Sequence, residues 1–330
     1  MKTIISLLLL LLISQYSCNT TEPEEKKVFP PDTTSQNFSF ETVEFGNGYA
    51  SSDFEDVWVF DENNIWAVGY LYLENKPLNI MRWDGKKWYP YSRQFNTNGI
   101  SGIWAKDTSE IYFASGLVLK YKNGRIVWED FSKLNFTNNQ GVDKIWGSSE
   151  KNIWSVGWWG TIVHFDGKEW KQIDFDNSYN FYGITGSKET GTAYTVGSIN
   201  HQTVIVELKD LNARIIYNES TMIPSLSAYD IEMINENELL LSNADIWKYD
   251  IEKAQAEIFQ DLEPGYFLPR IGYNKENDVF FWGNKLNSGE KLIHYNGKRI
   301  KEIDLPIREY VIYGNIYWKN NVGALAGFSN

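Results

Sequence analysis

The chain has 330 residues, 42% of them hydrophobic and 22% charged, with a formal net charge of −12. That is globular composition with room for a large core, and it excludes the basic stripe that a nucleic-acid interface needs. Aromatic residues make up 16%, counting 14 Trp, 20 Tyr and 18 Phe, an enrichment that suits pleated, half-buried strands.

Met1-Lys2 and the apolar run from Ile4 to Ile13, broken only by Ser6, read as an export signal over 1–17. The run is too short to cross a bilayer, which takes about twenty residues. Cys18 is the single cysteine, so no intramolecular disulfide can form. Preceded by Ser17, it resembles the lipidated first residue of bacterial lipoproteins. That resemblance implies acylation at Cys18 and a lipid-anchored place on the outer membrane, on its periplasmic or cell-surface side. Residues 18–36 read as the lipidated Cys and a flexible linker, polar and Pro-containing, with Glu22, Glu24 and Glu25 close to the anchor.

Residues 37–330 are repetitive. A strand of the type Ile65-Trp66-Ala67-Val68-Gly69 returns around Ile111, Ile153 and Ala193, and more faintly around Leu239, Val279 and Gly323. Its terminal Gly, or Asn243, recurs every 40 to 47 residues. The clearest unit runs from Gly141 to Phe175. It divides into a strand carrying Trp146, a polar turn, the strand Ile153 to Gly157, a strand through Thr161 to Phe165, the hairpin turn Asp166-Gly167, and a last strand carrying Trp170. Four antiparallel strands per unit of about 40–45 residues is the pattern of propeller blades.

Six units are complete, and the seventh, 308–330, supplies only two strands. Phe38 to Phe45 alternates like an outer strand. The expected fold is therefore an all-β, seven-bladed β-propeller of four-stranded antiparallel blades, closed by an N-terminal strand. The third strand of that last blade is unassigned, falling either near Val28 or nowhere. Asp84-Gly85-Lys86-Lys87-Trp88 and Asp166-Gly167-Lys168-Glu169-Trp170 resemble the hairpins of bacterial β-propellers of the Asp-box and photosystem II assembly-factor kind. The resemblance implies a fold and no activity.

Little in the chain points to catalysis. His164 and His294 share one repeat slot with Arg82 and Lys248, which reads as a solvent-facing strand position. No metal site or cofactor motif is present in the sequence pattern. Most carboxylates, among them Asp61, Asp107, Glu150 and Glu276, recur in turns, where they satisfy their own backbone. Tryptophans that repeat in register, such as Trp58, Trp104 and Trp146, read as packing between blades. Trp158 and Trp159 do not repeat. They fall in the turn after the second strand, on the face that also carries the inter-blade connections. Tyr70, Tyr72, Tyr266 and Tyr310 are expected on the same face, with His201 nearby.

These residues are the expected ligand contacts of a monomeric, non-catalytic binding or scaffold module whose partner is a glycan or a protein. The alternative is a polysaccharide-acting propeller enzyme, a lyase or hydrolase. It requires at least two carboxylates, or a His–Tyr pair, converging at the mouth of the central channel.

Overall fold

The computed structural model describes residues 6–13, 36–45, 53–73, 76–91, 99–137, 139–200, 202–218, 228–242, 245–260, 262–275, 278–305, 311–319 and 321–329. Two strands come first in the chain, β1 (Ser6–Ile13) and β2 (Ser39–Phe45). Blade one follows as β3 (Asp53–Asp61), β4 (Asn64–Leu73), β5 (Lys76–Trp83) and β6 (Trp88–Pro90). Blade two is β7 (Gly102–Asp107), β8 (Glu110–Ser115), β9 (Leu117–Lys122) and β10 (Arg125–Trp128). Blade three is β11 (Gly141–Ser149), β12 (Asn152–Trp158), β13 (Ile162–Phe165) and β14 (Trp170–Gln172). Blade four is β15 (Asn180–Gly186), β16 (Ala193–Ile199), β17 (Gln202–Lys209) and β18 (Asn212–Asn218). Blade five is β19 (Asp230–Asn235), β20 (Glu238–Ser242), β21 (Ile246–Asp250) and β22 (Gln255–Gln260). Blade six is β23 (Tyr266–Lys275), β24 (Asp278–Lys285), β25 (Gly289–Tyr295) and β26 (Ile300–Asp304). The chain ends with β27 (Val311–Lys319) and β28 (Val322–Ser329).

The structure corrects the expected blade count to six. Among the described residues, six sheets are built from four strands consecutive in sequence, each an antiparallel meander. The remaining strands form a composite closing sheet of order β2-β1-β28-β27. Here β1 lies between β2 and β28 and pairs with both, in the place of the unassigned third strand; Val28 lies outside the described residues. The last unit fails to make a blade because it supplies two strands only, and the rest comes from the far end of the chain.

The repeated Ile-Trp-Ala-Val-Gly unit is the second strand of each blade and is buried on both faces, as at Ile153 to Gly157. Trp66, Trp154 and Trp282 at its second position are all 1% exposed. Its terminal Gly has a steric cause. A Cβ on Gly157 would lie 2.1 Å from the Gly141 carbonyl oxygen, and one on Gly69 would lie 2.0 Å from that of Asp53. Hairpins between third and fourth strands use the expected turns. Gly85 and Gly167 adopt φ of 87° and 92°. The Asp84 and Asp166 carboxylates cap the turn backbone, Asp84 accepting from Lys86 N and Lys87 N at 2.9 Å.

Packing between blades confirms the roles read for most repeating tryptophans. Trp58 meets Tyr317 of β27 at 4.4 Å between centroids, and Trp104 covers Gly147 of the next blade. Trp128 differs, being 43% exposed on the outer strand of blade two. The shared histidine slot also needs correction. His164 and His294 are buried, not solvent-facing, because a polar residue opening each second strand satisfies the slot. His164 Nε2 lies 2.7 Å from Asn152 Oδ1, and His294 Nε2 lies 2.7 Å from Asp278 Oδ1. In other blades the same slot gives Arg82 to Asn64 and Lys248 to Glu238. Desolvation drops the His164 pKa to about 4, so its imidazole is neutral.

Candidate functional site

The first strands of the blades and β27 line a central cavity of about 740 Å³. One register slot, the residue just before Val57, Ile103, Ile145, Ile184, Ile231, Ile271 and Ile316, reads Asp56, Gly102, Lys144, Gly183, Asp230, Arg270 and Asn315. Charges of both signs therefore face a low-dielectric channel, and most of them have assigned partners. Asp56 accepts from Val57 N at 2.8 Å, from Ile103 N of blade two at 2.9 Å and from Asn315 Nδ2 at 2.7 Å. Asp230 does the same between blades five and six, accepting from Ile231 N at 2.9 Å and Ile271 N at 3.0 Å. Thr185 bridges blades four and five, accepting from Met233 N and donating to Glu232. Arg270 donates to the Gly314 carbonyl of β27. The slot is thus an inter-blade clasp.

Burial raises the pKa of Asp56 and Asp230, opposed by Lys144 and, for Asp230, by Arg270. Glu232 is raised furthest, to about 8, by burial and by the Asp230 charge. Near neutral pH it is mostly the protonated acid.

The channel mouth is more distinctive. Trp158 at the end of β12 stands edge-on to Tyr182 of β15, with centroids 6.1 Å apart. Tyr182 meets Tyr229 at 5.9 Å, and Tyr229 meets Phe267 of β23 at 5.8 Å. Four rings from four successive blades form one arc. Trp158 is 47% exposed and Tyr229 37%, so the arc is open to solvent. Tyr182 is fixed by a 2.9 Å hydrogen bond between its hydroxyl and Ser198 Oγ.

Trp159 follows Trp158 in the chain. It is also 47% exposed, and it holds φ of 57°, a left-handed conformation that costs a non-glycine residue about 1–2 kcal/mol. Its backbone is over-determined. Trp159 N donates to Asn180 Oδ1 at 3.0 Å, its carbonyl accepts from Gln140 Nε2 at 3.2 Å, and Gly160 N donates to Tyr179 O at 2.7 Å.

On the side of blades one to three the mouth is acidic. Asp53 is raised to about 6 by burial and by Glu55. Asp143 is raised by burial and by Glu55, while Lys144 and hydrogen bonds from the Trp158 and Ser101 side chains oppose the rise. Glu55 thus couples both carboxyls, and Trp158 joins the acidic cluster to the arc. Among the described residues, no group of three or more His, Cys, Asp or Glu side chains is placed to hold a metal ion.

Of the aromatic residues singled out in sequence, the structure brings Trp158 into the arc, with Trp159 next to it in the chain. Tyr70 and Tyr72 lie within β4 rather than in a turn, half-buried, with Tyr70 paired to Asp53. Tyr266 is 6% exposed; its hydroxyl donates to Glu302 and its ring carries the Lys285 ammonium at 4.7 Å. Tyr310, His201 and Cys18 lie outside the described residues. Tyr182, Tyr229, Asp143 and Glu55 escaped sequence reading. Their signal is the β-bulge near the start of the first strands, which sets Glu55, Asp143 and Tyr182 out of the ladder.

These features define a β-propeller with an aromatic and acidic rim at one end of its channel. No family model matches the sequence, and no curated protein matches it. Solved structures match in fold. A structure of YCF48 bound to a D1 peptide aligns with a TM-score of 0.62 at 15% identity, covering 83% of this chain and 89% of that one. The WD40 β-propeller domain of Doa1 aligns at 0.60 and 12%, covering 84% and 93%. A GH74 xyloglucanase from Xanthomonas campestris aligns at 0.59 and 10%, covering 80% of this chain and 48% of that one. At such identities the likeness defines the fold alone.

Proposed function

We propose that the protein is a binding module that holds an extended, cation-bearing protein segment across the channel mouth. The observation that carries this reading is the arc Trp158–Tyr182–Tyr229–Phe267, solvent-open and fixed on four rigid blades. Exposed aromatics on a rigid scaffold are the usual anchors of protein interfaces. The neighbouring Asp53, Glu55 and Asp143 supply a field that favours Lys or Arg on the partner. The peptide named in the YCF48 structure supports a peptide ligand on this fold. Panning random peptides on the purified protein tests the reading. A consensus rich in Lys or Arg and apolar residues, lost for Trp158→Ala/Tyr182→Ala, is expected. Glycan-array binding lost in that variant, with no peptide consensus, would refute it.

A second reading rests on the same carboxyls. Asp53 and Asp143, both raised and both within reach of the Glu55 field, are the type of pair a glycoside hydrolase or a lyase uses as acid and base. Release of reducing ends from polysaccharides, abolished by Asp143→Asn, would establish it. Intact substrates after prolonged incubation would dismiss it.

The proposed module is tethered to the outer membrane through acylated Cys18. Wild type should take up a palmitate analogue and Cys18→Ala should not; equal labelling would remove the anchor.

A further inference from the structure

The closing sheet carries a second site, separate from the arc. β1 lies between β2 and β28, antiparallel to both. Leu7 faces Phe45 and Phe328 at one end, and Ile13 faces Ser39 and Val322 at the other. The layers flanking this place are apolar on both sides. Toward blade six, Phe38 and Phe40 pack with Phe280, Trp318 and Leu325. Toward blade one, Phe45 packs with Phe54, Ala324 and Ala326. A strand covered on both faces must be a continuous apolar run rather than an alternating one. Ser6 to Ile13 has that character.

The same run is the apolar core of the export signal expected over 1–17. Cleavage before Cys18 takes β1 away. It leaves the edges of β2 and β28 facing each other across a gap of one strand, about 10 Å by the spacing of paired strands. Residues 19–35 do not suit the gap. Their apolar content is Val28-Phe29, followed at once by Pro30-Pro31, which have no N–H to give to either edge. Two buried, unpaired edges are costly and adhesive.

We propose that in the exported chain this gap is a strand-acceptor site, filled by an apolar extended segment of a partner protein that adds between β2 and β28. The segment is about eight residues long, antiparallel to both neighbours and apolar on both faces, by the pattern of strand addition to a sheet edge. Ala324 and Ala326 leave space for large side chains on the incoming strand.

Hydrogen exchange at β2 and β28 tests this in three samples: the uncleaved full chain, the exported and processed chain, and the processed chain with the Ser6–Ile13 sequence added as a lysine-flanked peptide. Protection should be present in the first, fall by roughly 100-fold or more in the second, and return in the third. Ala326→Arg should block its return while blade three stays protected. Slow exchange at both strands in the processed chain without peptide would overturn the proposal, the sheet having closed on itself. So would fast exchange indifferent to the peptide, or a mass showing the leader retained after export.

Discussion

The Trp158 and Tyr182 rings meet edge to face, 6.1 Å between centroids and 76° between planes, across the junction of blades three and four. Such contacts are worth about 0.5–1.5 kcal/mol beyond area burial, which holds both rings in place before a ligand arrives. A pre-placed pair loses little entropy on binding. Trp158→Ala should therefore weaken binding of a selected peptide by about 2 kcal/mol, or roughly 30-fold, with the melting temperature lowered by only a few degrees through loss of the ring contact. Titration calorimetry on both proteins, with thermal melts alongside, measures the two effects separately. Equal affinity would show that the arc is not the contact surface.

Trp159 makes a sharper case, because its backbone is strained and its side chain is half-exposed. A residue kept in the left-handed region at a cost of about 1–2 kcal/mol is retained for its ring, not for stability. Trp159→Gly should melt at or above the wild-type temperature while binding the peptide more weakly. A clear drop in melting temperature would instead mean that the ring stabilises the loop.

The strands, their turns and the period of the blades were legible because each blade repeats the same packing and turn demands. Gly157 and Asp166 are placed where backbone geometry leaves no other choice. The channel slot was not legible, since it varies from Asp56 to Lys144 to Arg270 and only its position repeats. The arc was half-legible: Trp158 broke the pattern, whereas Tyr182 looks like an ordinary strand residue until a bulge sets it out of the ladder, and Tyr229, just ahead of β19, carries no repeating signal. The closing sheet was legible only in part. Phe38 to Phe45 alternates as its outer strand should, whereas β1 falls in the run read as an export signal, and no local pattern records its pairing with β2 and β28.

Asp56 ties the closing sheet to blades one and two through Asn315 Nδ2 and Ile103 N. Removing it takes the acceptor from three donors at once, Val57 N, Ile103 N and Asn315 Nδ2, and each buried donor left without a partner costs about 1–3 kcal/mol. Asp56→Ala should lower stability by about 3 kcal/mol in urea melts, and Asn315→Ala should cost less on top of it than in the wild type, since the two share one bond while Asn315 Oδ1 separately accepts from Ile316 N. Additive losses would mean that the two residues act independently.

Glu232 gives the channel a pH signature. Its pKa rises from the ordinary 4.5 to about 8 on folding, chiefly through burial and then through Asp230. With the folded value above the unfolded one, the unfolded chain releases its proton first as pH climbs. Its contribution is thus fully present below pH 4.5 and is lost progressively up to pH 8. Gln at this position keeps an acceptor for Thr185 and carries no charge to bury. Glu232→Gln should therefore match wild type near pH 4 and melt roughly 3 °C or more higher at pH 8.5, taking 2–4 °C per kcal/mol as the scale. Thermal melts across that range read the difference directly, and parallel curves for the two proteins would mean that Glu232 titrates normally in the folded channel.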